Sequence, residues 1–171
     1  MRRITPAALL ILVLVYISSA CSESDGAADM TPHVSGASPE EAGRYLVTIG
    51  GCHDCHTPGF LETGWEVPES EWFTGVPVGW RGPWGTTYGA NLRLTVQNMT
   101  EDQFVETLKS RKALPPMPWP LVSRMHESDM RAIYKYLQSL GPGGEAMPAP
   151  LPPGEEPATP YVVLAPPTFP N

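Results

Sequence analysis

Apolar residues recur at helical spacing in three segments of the chain, with signals for where each helix begins or ends. The first segment begins at Ser38, which can cap a helix while Glu41 completes a capping box. It ends near Gly50, because glycine permits the left-handed exit from a helix. The pattern therefore predicts a first helix between these positions. Its apolar residues are Tyr45, Leu46 and Ile49.

Two further helices are predicted in the second half of the chain. One begins at Thr100, where a second capping box leads into apolar residues and then into basic residues suited to a helix carboxyl end. The other runs from about Glu127 to Leu140 and ends at Gly141-Pro142. The apolar positions of this last helix are Met130, Ile133, Tyr134, Leu137 and Leu140.

The stretch from Thr57 to Asn98 has no convincing period, although short strands around Trp72-Phe73 and Thr86–Tyr88 fit the pattern. It is rich in tryptophan and glycine, which provide aromatic bulk and allow close backbone approach. A loop of this length is uncommon unless something other than protein fills its centre. We therefore expect it either to wrap around a flat apolar group or to form an ordinary tryptophan-rich core.

The amino-terminal residues 1–20 have the order of an export signal, with two arginines, an apolar run and then small residues. Residues 21–37 are small and polar and predict a flexible tether. The segment that ends at Cys21 resembles a bacterial lipoprotein cleavage site, and this cysteine has no evident partner, so we expect lipidation and membrane attachment there. Ordinary cleavage after Ala20 and an uncleaved anchor are the alternatives.

The carboxyl-terminal residues 142–171 contain ten prolines in thirty positions. Such a segment cannot form a helix, and it lacks the alternation of a strand. It predicts an extended, polyproline-like tail that either lies on the domain or hangs free. The ordered domain is therefore expected at about 38–141.

The composition excludes two classes of function. With 11 Lys and Arg against 18 Asp and Glu, the 171-residue chain has a formal net charge of −7. This charge repels a phosphate backbone and excludes nucleic acid as a partner, whereas it favours partners with a basic docking surface. A hydrophobic content of 42% is ordinary for a globular protein and excludes a multi-span membrane protein.

The most specific motif is Cys52-His53-Asp54-Cys55-His56, directly after the first predicted helix. Two cysteines three positions apart can form thioethers to the vinyl groups of one haem, and the adjacent His56 is placed to ligate its iron. A thioredoxin-like redox pair would need a βαβ setting, which is absent here. A structural zinc site would need four ligands, and the sequence has no second pair of cysteines to supply them. The motif therefore predicts one covalent haem c on Cys52 and Cys55, with His56 as an axial ligand.

The second axial ligand is expected at Met117, within Leu114–Pro120. Prolines on both sides of Met117 restrict the backbone and lower the entropy cost of holding its sulfur in place. A thioether favours ferrous iron and so raises the reduction potential. Met125 and His126 are minor competitors for this role, and Met130 is expected in the core.

The order of helix, haem motif, long loop, methionine loop and terminal helix resembles a monohaem class I cytochrome c. This resemblance implies an all-α class I cytochrome c fold, with about three main helices around one covalent haem, a long Trp/Gly-rich loop and a Pro-rich tail. It also implies that the first and last helices cross near Gly43 and Tyr134. Three segments are similar to exported bacterial cytochrome subunits of alcohol and aldehyde dehydrogenases, namely Gly50–Gly59, Tyr88–Leu92 and Pro116–Trp119. Those subunits usually carry several haem motifs, whereas this chain has one.

The function that the resemblance implies is one-electron transfer outside the cytoplasm, between a dehydrogenase or respiratory complex and another redox protein. The chain is then an electron carrier with no catalytic residues of its own. Two alternatives stay open: a pentacoordinate haem protein that acts on peroxide or senses a small gas, and a docking subunit of a larger dehydrogenase. The candidates for contact with the haem propionates are Trp80, Arg81, Trp84, Tyr88 and Arg93.

Overall fold

The computed structural model describes residues 33–169. The expected export signal, the lipidation site at Cys21 and most of the tether lie outside this range. Within the range, no helix is both long enough and apolar enough to cross a membrane. The last residues of the expected tether are attached to the domain, because the main-chain N–H groups of His33 and Val34 donate to Ser128 and Asp129, each at 3.0 Å.

Seven α-helices and three β-strands form the described part of the chain. The helices are α1 (Pro39–Ile49), α2 (Cys52–His56), α3 (Phe60–Thr63), α4 (Leu92–Gln97), α5 (Glu101–Ser110), α6 (Trp119–Val122) and α7 (Glu127–Ser139). The strands are β1 (Val76–Gly82), β2 (Gly85–Gly89) and β3 (Tyr161–Val163), and two short 3-10 turns span Gly64–Glu66 and Glu69–Glu71.

The three predicted helices are confirmed as α1, α5 and α7, but a complete capping box forms only at α5. At α1 the carboxylate of Glu41 accepts the main-chain N–H of Ala37 at 3.0 Å instead of that of Ser38. Ser38 Oγ accepts the main-chain N–H of Glu41 at 3.2 Å. Thr100 and Gln103 form a complete capping box at the start of α5. Helix α7 begins after His126, whose side chain makes no capping hydrogen bond to the backbone.

The expectation of an all-α class I cytochrome c fold is wrong, because the chain also contains a mixed three-stranded sheet. Strands β1 and β2 form an antiparallel hairpin in which Trp80 lies opposite Thr87 and Gly82 lies opposite Gly85. Strand β3 comes from the proline-rich tail and pairs parallel to β1, so the strand order is β2-β1-β3. Glycines on both faces of the hairpin conceal its alternation in the sequence.

Helices α1 and α7 cross at Gly43, at the position that the resemblance implied for α1. A Cβ added at Gly43 would overlap the main-chain oxygen of Ala132, so only glycine permits this approach. The hydrophobic core extends from this crossing to the residues before β1 and to α4 and α5. The buried residues of this core are Val47, Val67, Trp72, Phe73, Val96, Phe104, Ile133, Tyr134, Tyr136 and Leu137.

The tail lies on the domain, which is one of the two arrangements expected from its sequence. Leu151 and Thr86 exchange two main-chain hydrogen bonds of 2.9 Å. Farther along, β3 extends the sheet, and the Leu164 N–H donates to the Arg81 carbonyl at 2.7 Å. Residues 142–164 are therefore part of the folded unit, although their proline content predicts no strand.

Candidate functional site

Helix α2 carries both cysteines and His56 on little more than one turn. Gly51 precedes it with φ 64°, a left-handed conformation that turns the chain sharply from α1 into α2. Cys52 and Cys55 are partly buried free thiols. Burial, with a smaller effect of Cys55, raises the pKa of Cys52 to about 11, and burial also raises the pKa of Cys55. Both groups are therefore protonated at neutral pH, unlike the low-pKa thiol of a redox enzyme.

His56 is oriented by one specific hydrogen bond, in which Nδ1 donates to the carbonyl oxygen of Ala90 at 2.8 Å. A carbonyl can only accept, so Nδ1 carries the ring proton and Nε2 keeps its lone pair. Burial lowers the pKa of His56, which keeps the ring neutral. The main-chain oxygen of His56 is also bound, by the N–H of Gly75 at 2.9 Å. The ring is thus prepared to ligate a metal ion through Nε2.

His53, the other histidine of α2, is a core residue. It is only 1% exposed. Its ring stacks on Phe60 with centroids 4.6 Å apart and lies 4.2 Å from the ring of Phe73. Its Nδ1 is 3.0 Å from Thr57 Oγ1. Burial lowers the pKa of His53 to about 4, so this ring is neutral at pH 7 and serves packing.

One face of the β1–β2 hairpin touches both predicted iron-ligand segments. A Cβ at Gly89 would overlap the carbonyl oxygen of Cys55, so β2 lies directly on α2. Two residues earlier on the same face, Thr87 Oγ1 donates to the carbonyl oxygen of Pro115 at 2.6 Å. Trp80 is opposite Thr87 and shares this face. The sheet therefore joins the cysteine helix to the methionine loop.

Met117 is partly exposed in the loop between α5 and α6. Its carbonyl oxygen accepts the main-chain N–H of Trp119 at 2.9 Å. The guanidinium of Arg111 lies 5.0 Å from the centre of the Trp119 ring, in a cation–π contact. The loop is thus bound at Pro115 by β2 and near Trp119 by the end of α5.

The competing ligand candidates have other contacts. Met125 packs against the hydrophobic core. His126 Nδ1 lies 2.7 Å from Ser128 Oγ, next to the start of α7. Met130 is fully buried, as expected from its position on the apolar face of α7. These contacts give each of the three residues a structural role.

Arg93, a candidate propionate partner, is a buried clamp on the end of α7. Its Nε donates to Gly141 O at 2.7 Å, and Nη1 donates to Ser70 O at 2.8 Å. Its Nη2 donates to Leu140 O and, at 3.4 Å, to Pro142 O. These bonds use four of the five guanidinium N–H groups and satisfy carbonyls that the helix end leaves free.

Arg81 and Tyr88 also have partners within the protein. Arg81 forms an exposed ion pair with Glu156 and donates to Tyr161 Oη at 3.2 Å. Tyr88 Oη accepts a hydrogen bond from Thr159 Oγ1 at 3.2 Å. Both residues therefore hold the tail against the sheet.

Trp80 and Trp84 differ from the other candidates, because each has a buried Nε1 without a hydrogen-bond partner among the described residues. A Cβ at Gly82 would lie 2.5 Å from the Trp84 ring, so this ring covers the hairpin face that also carries Trp80. The Nε1 of Trp119 is likewise buried and unpartnered in this part of the chain. A buried donor that lacks an acceptor costs about 1–3 kcal/mol, so an acceptor-rich group at this face would be stabilising.

The residues of this region fit a covalently bound haem c. They provide two protonated thiols, an imidazole whose Nε2 is free to ligate, and unpaired indole donors for carboxylates. Partly buried apolar side chains adjoin the core on α4 and α5 and can cover a porphyrin face. Among residues 33–169, no group of three or more His, Cys, Asp or Glu side chains is placed to hold a metal ion.

A cavity of about 430 Å³ lies between the tail and the loop that contains Ala90, the hydrogen-bond partner of His56. Ala90, Asn91, Leu94 and Arg111 are among its lining residues, together with residues 146–150 of the tail. Tyr88 lines it as well, but Cys52, Cys55, His56 and Met117 do not, so it is a neighbouring space rather than the site itself.

Three residues of the site received no role from the sequence: Thr87, Gly89 and Ala90. Ala90 acts through its main chain and Gly89 through the absence of a side chain, so neither residue type indicates the contact. Thr87 bonds a residue 28 positions away. The only sequence signal was the similarity of the segment Tyr88–Leu92, which drew attention to this stretch without assigning a function to it.

No protein-family model, no curated protein and no solved structure matches this chain.

Proposed function

We propose that this protein is a c-type cytochrome that binds one haem covalently through Cys52 and Cys55 and transfers single electrons outside the cytoplasm. The observation that carries the proposal is the hydrogen bond from His56 Nδ1 to Ala90 O, because it leaves Nε2 unprotonated beside two protonated thiols. When bound there, the haem would supply a one-electron couple between ferric and ferrous iron.

Met117 is the proposed second axial ligand. The bond from Thr87 to Pro115 and the cation–π contact at Trp119 restrain its loop, and the flanking prolines lower the entropy cost of holding the sulfur. With both axial positions filled by protein, a substrate has no access to the iron. This arrangement favours an electron carrier over a protein that acts on peroxide or senses a gas.

Trp80 and Trp84 are the proposed donors to the haem propionates. Their buried Nε1 groups have no partner among the described residues and belong to the hairpin face that touches α2 and the Met117 loop. Arg81, Tyr88 and Arg93 already bind other parts of the chain, so we do not assign them this role.

A redox protein with a basic docking surface is the proposed partner, consistent with the net charge of −7. Between Arg44 and Arg81 the chain has no lysine or arginine, and all of its carboxylates in this segment are exposed. A negative field of this kind steers a basic partner towards the segment that contains the haem motif. These carboxylates are Asp54, Glu62, Glu66, Glu69 and Glu71.

Export and lipidation at Cys21 are proposed from the sequence. Cys21→Ala should release the protein from the membrane fraction, as measured by immunoblotting of fractionated cells. A variant that stays bound would favour an uncleaved anchor or a membrane-bound partner.

The test of the redox proposal is an optical spectrum of oxidised and reduced protein, produced in a host that attaches haem. We expect covalent haem, a low-spin spectrum and the weak near-infrared band of a Met–iron bond. Met117→Ala should abolish that band and leave the haem attached. Met125→Leu is the matched control, since this neighbouring methionine packs on the core and its replacement should keep the band.

Two outcomes would contradict the proposal. Wild-type protein without covalent haem would remove the cofactor from the function altogether. A high-spin wild type that binds carbon monoxide readily would exclude Met117 as a ligand and favour the peroxide or gas alternative.

A further inference from the structure

The tail passes close to the loop that supplies the hydrogen-bond partner of His56. Residues 143–151, here called the strap, follow this loop before Leu151 pairs with β2. The side chain of Asn91 donates from Nδ2 to Gly143 O at 2.8 Å and to Glu145 O at 3.1 Å. The strap is therefore bound to the residue directly after Ala90.

The side-chain amide of Asn91 binds the strap through Nδ2 and the start of α4 through Oδ1. Asn91 is only 5% exposed. Its Oδ1 accepts the main-chain N–H of Leu94 at 3.0 Å and so caps α4. Because Nδ2 and Oδ1 are both bound, the backbone next to the Ala90 carbonyl has little freedom to shift.

Met147 of the strap makes a second contact with the surroundings of His56. A Cβ added at Gly75 would meet Met147 Sδ at 2.8 Å and the main-chain nitrogen of Asn91 at 2.9 Å. The N–H of Gly75 donates to the main-chain oxygen of His56 at 2.9 Å. Met147 thus packs on the residue that binds the His56 backbone, while Asn91 restrains the residue that binds the His56 ring.

We propose that the strap is a positioning element for His56, acting through Asn91 and Met147. It keeps the carbonyl oxygen of Ala90 within hydrogen-bond distance of Nδ1, which makes the imidazole a stronger electron donor. The positioning concerns the protein's own hydrogen bond, and its redox consequence rests on the proposed function. Loosening the strap should weaken the Nδ1–H···O bond, destabilise ferric iron and raise the reduction potential.

Asn91→Asp is the most informative variant, made in the full-length protein. Aspartate keeps an oxygen to cap α4 and loses both donations to the strap, so the helix start is preserved. We expect exchange of the His56 Nδ1 proton with solvent, followed by NMR, to become about tenfold faster. The reduction potential is compared in Met147→Ala, where it should rise, because the new carboxylate of Asn91→Asp would itself stabilise ferric iron and lower the potential. Met147→Ala should act in the same direction, and Met147→Leu should restore wild-type values because it preserves the packing volume.

Two controls separate the strap from the rest of the tail. Thr159→Val removes a tail contact with Tyr88 outside the strap. It should change neither the exchange rate of the His56 Nδ1 proton nor the reduction potential. A chain that ends after Gly154 retains the strap and lacks β3, and its exchange rate should match wild type. A chain that ends after Pro142 lacks both, and its exchange rate should rise as in Asn91→Asp.

Wild-type exchange in Asn91→Asp or a wild-type potential in Met147→Ala would overturn the inference, and these full-length variants decide the matter if the shorter chain fails to fold. A truncation after Gly154 that behaves like Asn91→Asp would also overturn it, because β3 rather than the strap would then hold the loop. If wild-type protein contains no covalent haem, the proposed function fails. The exchange measurement on that haem-free protein still tests whether the strap positions His56.

Discussion

His56 and Ala90 are 34 residues apart in the sequence, yet His56 Nδ1 lies 2.8 Å from the carbonyl oxygen of Ala90. The histidine comes from a one-turn helix and its partner is the residue directly after β2. Because this single bond sets the tautomer, the chemistry of the pentapeptide depends on a sheet that lies outside it. The site is therefore a product of the hairpin as much as of the haem motif.

The bond from Thr87 to Pro115 should control how firmly Met117 is held. In Thr87→Val the loop loses a hydrogen bond worth about 1 kcal/mol, so the proposed bond from Met117 to the haem iron should open about fivefold more readily. The measurement is the affinity of the ferric protein for added imidazole, which competes with the methionine sulfur. We expect that affinity to rise by the same factor.

Thr87→Ser is the matched control, because serine keeps the hydroxyl that donates to Pro115 and should retain wild-type affinity. Equal imidazole affinity in the valine and wild-type proteins would show that the hairpin does not restrain the methionine loop.

Arg93→Lys should destabilise the protein although the charge is unchanged. Lysine cannot reproduce the planar set of donors that binds Ser70 and the end of α7. We expect the free energy of unfolding to fall by about 2–4 kcal/mol in urea titrations, because buried carbonyls lose their partners. The haem spectrum of the folded variant should be unchanged, since Arg93 is bound to main chain.

Arg81→Lys tests whether the cost comes from burial and geometry. Arg81 forms an exposed ion pair with Glu156, and such pairs contribute little to stability. We expect no measurable change in this variant. Similar losses in the free energy of unfolding in Arg93→Lys and Arg81→Lys would show that the buried hydrogen bonds of Arg93 stabilise the protein no more than the exposed ion pair does.

The helices could be predicted from sequence because their signals are local. Ser38 and Thr100 cap α1 and α5 with residues three positions away, and the apolar stripe of α7 lies within one segment. The haem motif is equally local, since five consecutive residues carry the thiols and the histidine. Local chemistry of this kind needs no knowledge of the rest of the fold.

The strand expected around Thr86–Tyr88 is confirmed within β2, whereas Trp72-Phe73 lies in no strand. The pairing of the sheet could not be predicted, because its stabilising contacts are distant in sequence. Trp80 pairs with Thr87 and, through β3, with Val162. The prolines and glycines around these strands predict a loop. Pairing of β1 with β3 from the tail overrides that local preference. The same distance hides the hydrogen-bond partners of Arg93 from the sequence. Its carbonyl acceptors at Leu140 and Gly141 are more than 45 residues away.

Stability should fall as the pH is lowered from about 6.5 to 4, and His53 should cause much of this loss. Burial lowers the folded-state pKa of His53 from 6.5 to about 4, so the unfolded chain binds a proton in this window and the folded protein does not. The stabilisation is fully present above pH 6.5 and is lost by pH 4, at a cost of about 3 kcal/mol.

The measurement compares the free energy of unfolding at pH 7 and pH 4 in wild type and His53→Phe. Phenylalanine suits the cage formed by Phe60 and Phe73, and it cannot be protonated. The variant should lose about 3 kcal/mol less than wild type between the two pH values. Parallel pH profiles would show that His53 is hydrated in the folded state.

Gly89→Ala should disrupt the contact between β2 and α2. A Cβ at this position would overlap the carbonyl oxygen of Cys55, which is backbone and cannot rotate away, so the strand must shift. Overpacking of this kind costs about 3 kcal/mol in the free energy of unfolding, measured in urea. The shift should also move the adjacent Ala90 carbonyl from His56 and reduce the fraction of protein that attaches haem.

Gly64→Ala is the matched control for this substitution. Gly64 has φ 59° and ψ −129°, a conformation that residues with a side chain rarely adopt, and a Cβ there would meet nothing within 4 Å, so only backbone strain of about 1–3 kcal/mol is added. Haem attachment should stay at the wild-type level in Gly64→Ala, because α3 lies outside the contact between β2 and α2. An equal loss of haem attachment in the two variants would contradict the role of the close approach of Gly89 to Cys55. A loss of haem attachment confined to Gly89→Ala would show that β2 must pack against α2 before the hydrogen bond from His56 to Ala90 can form.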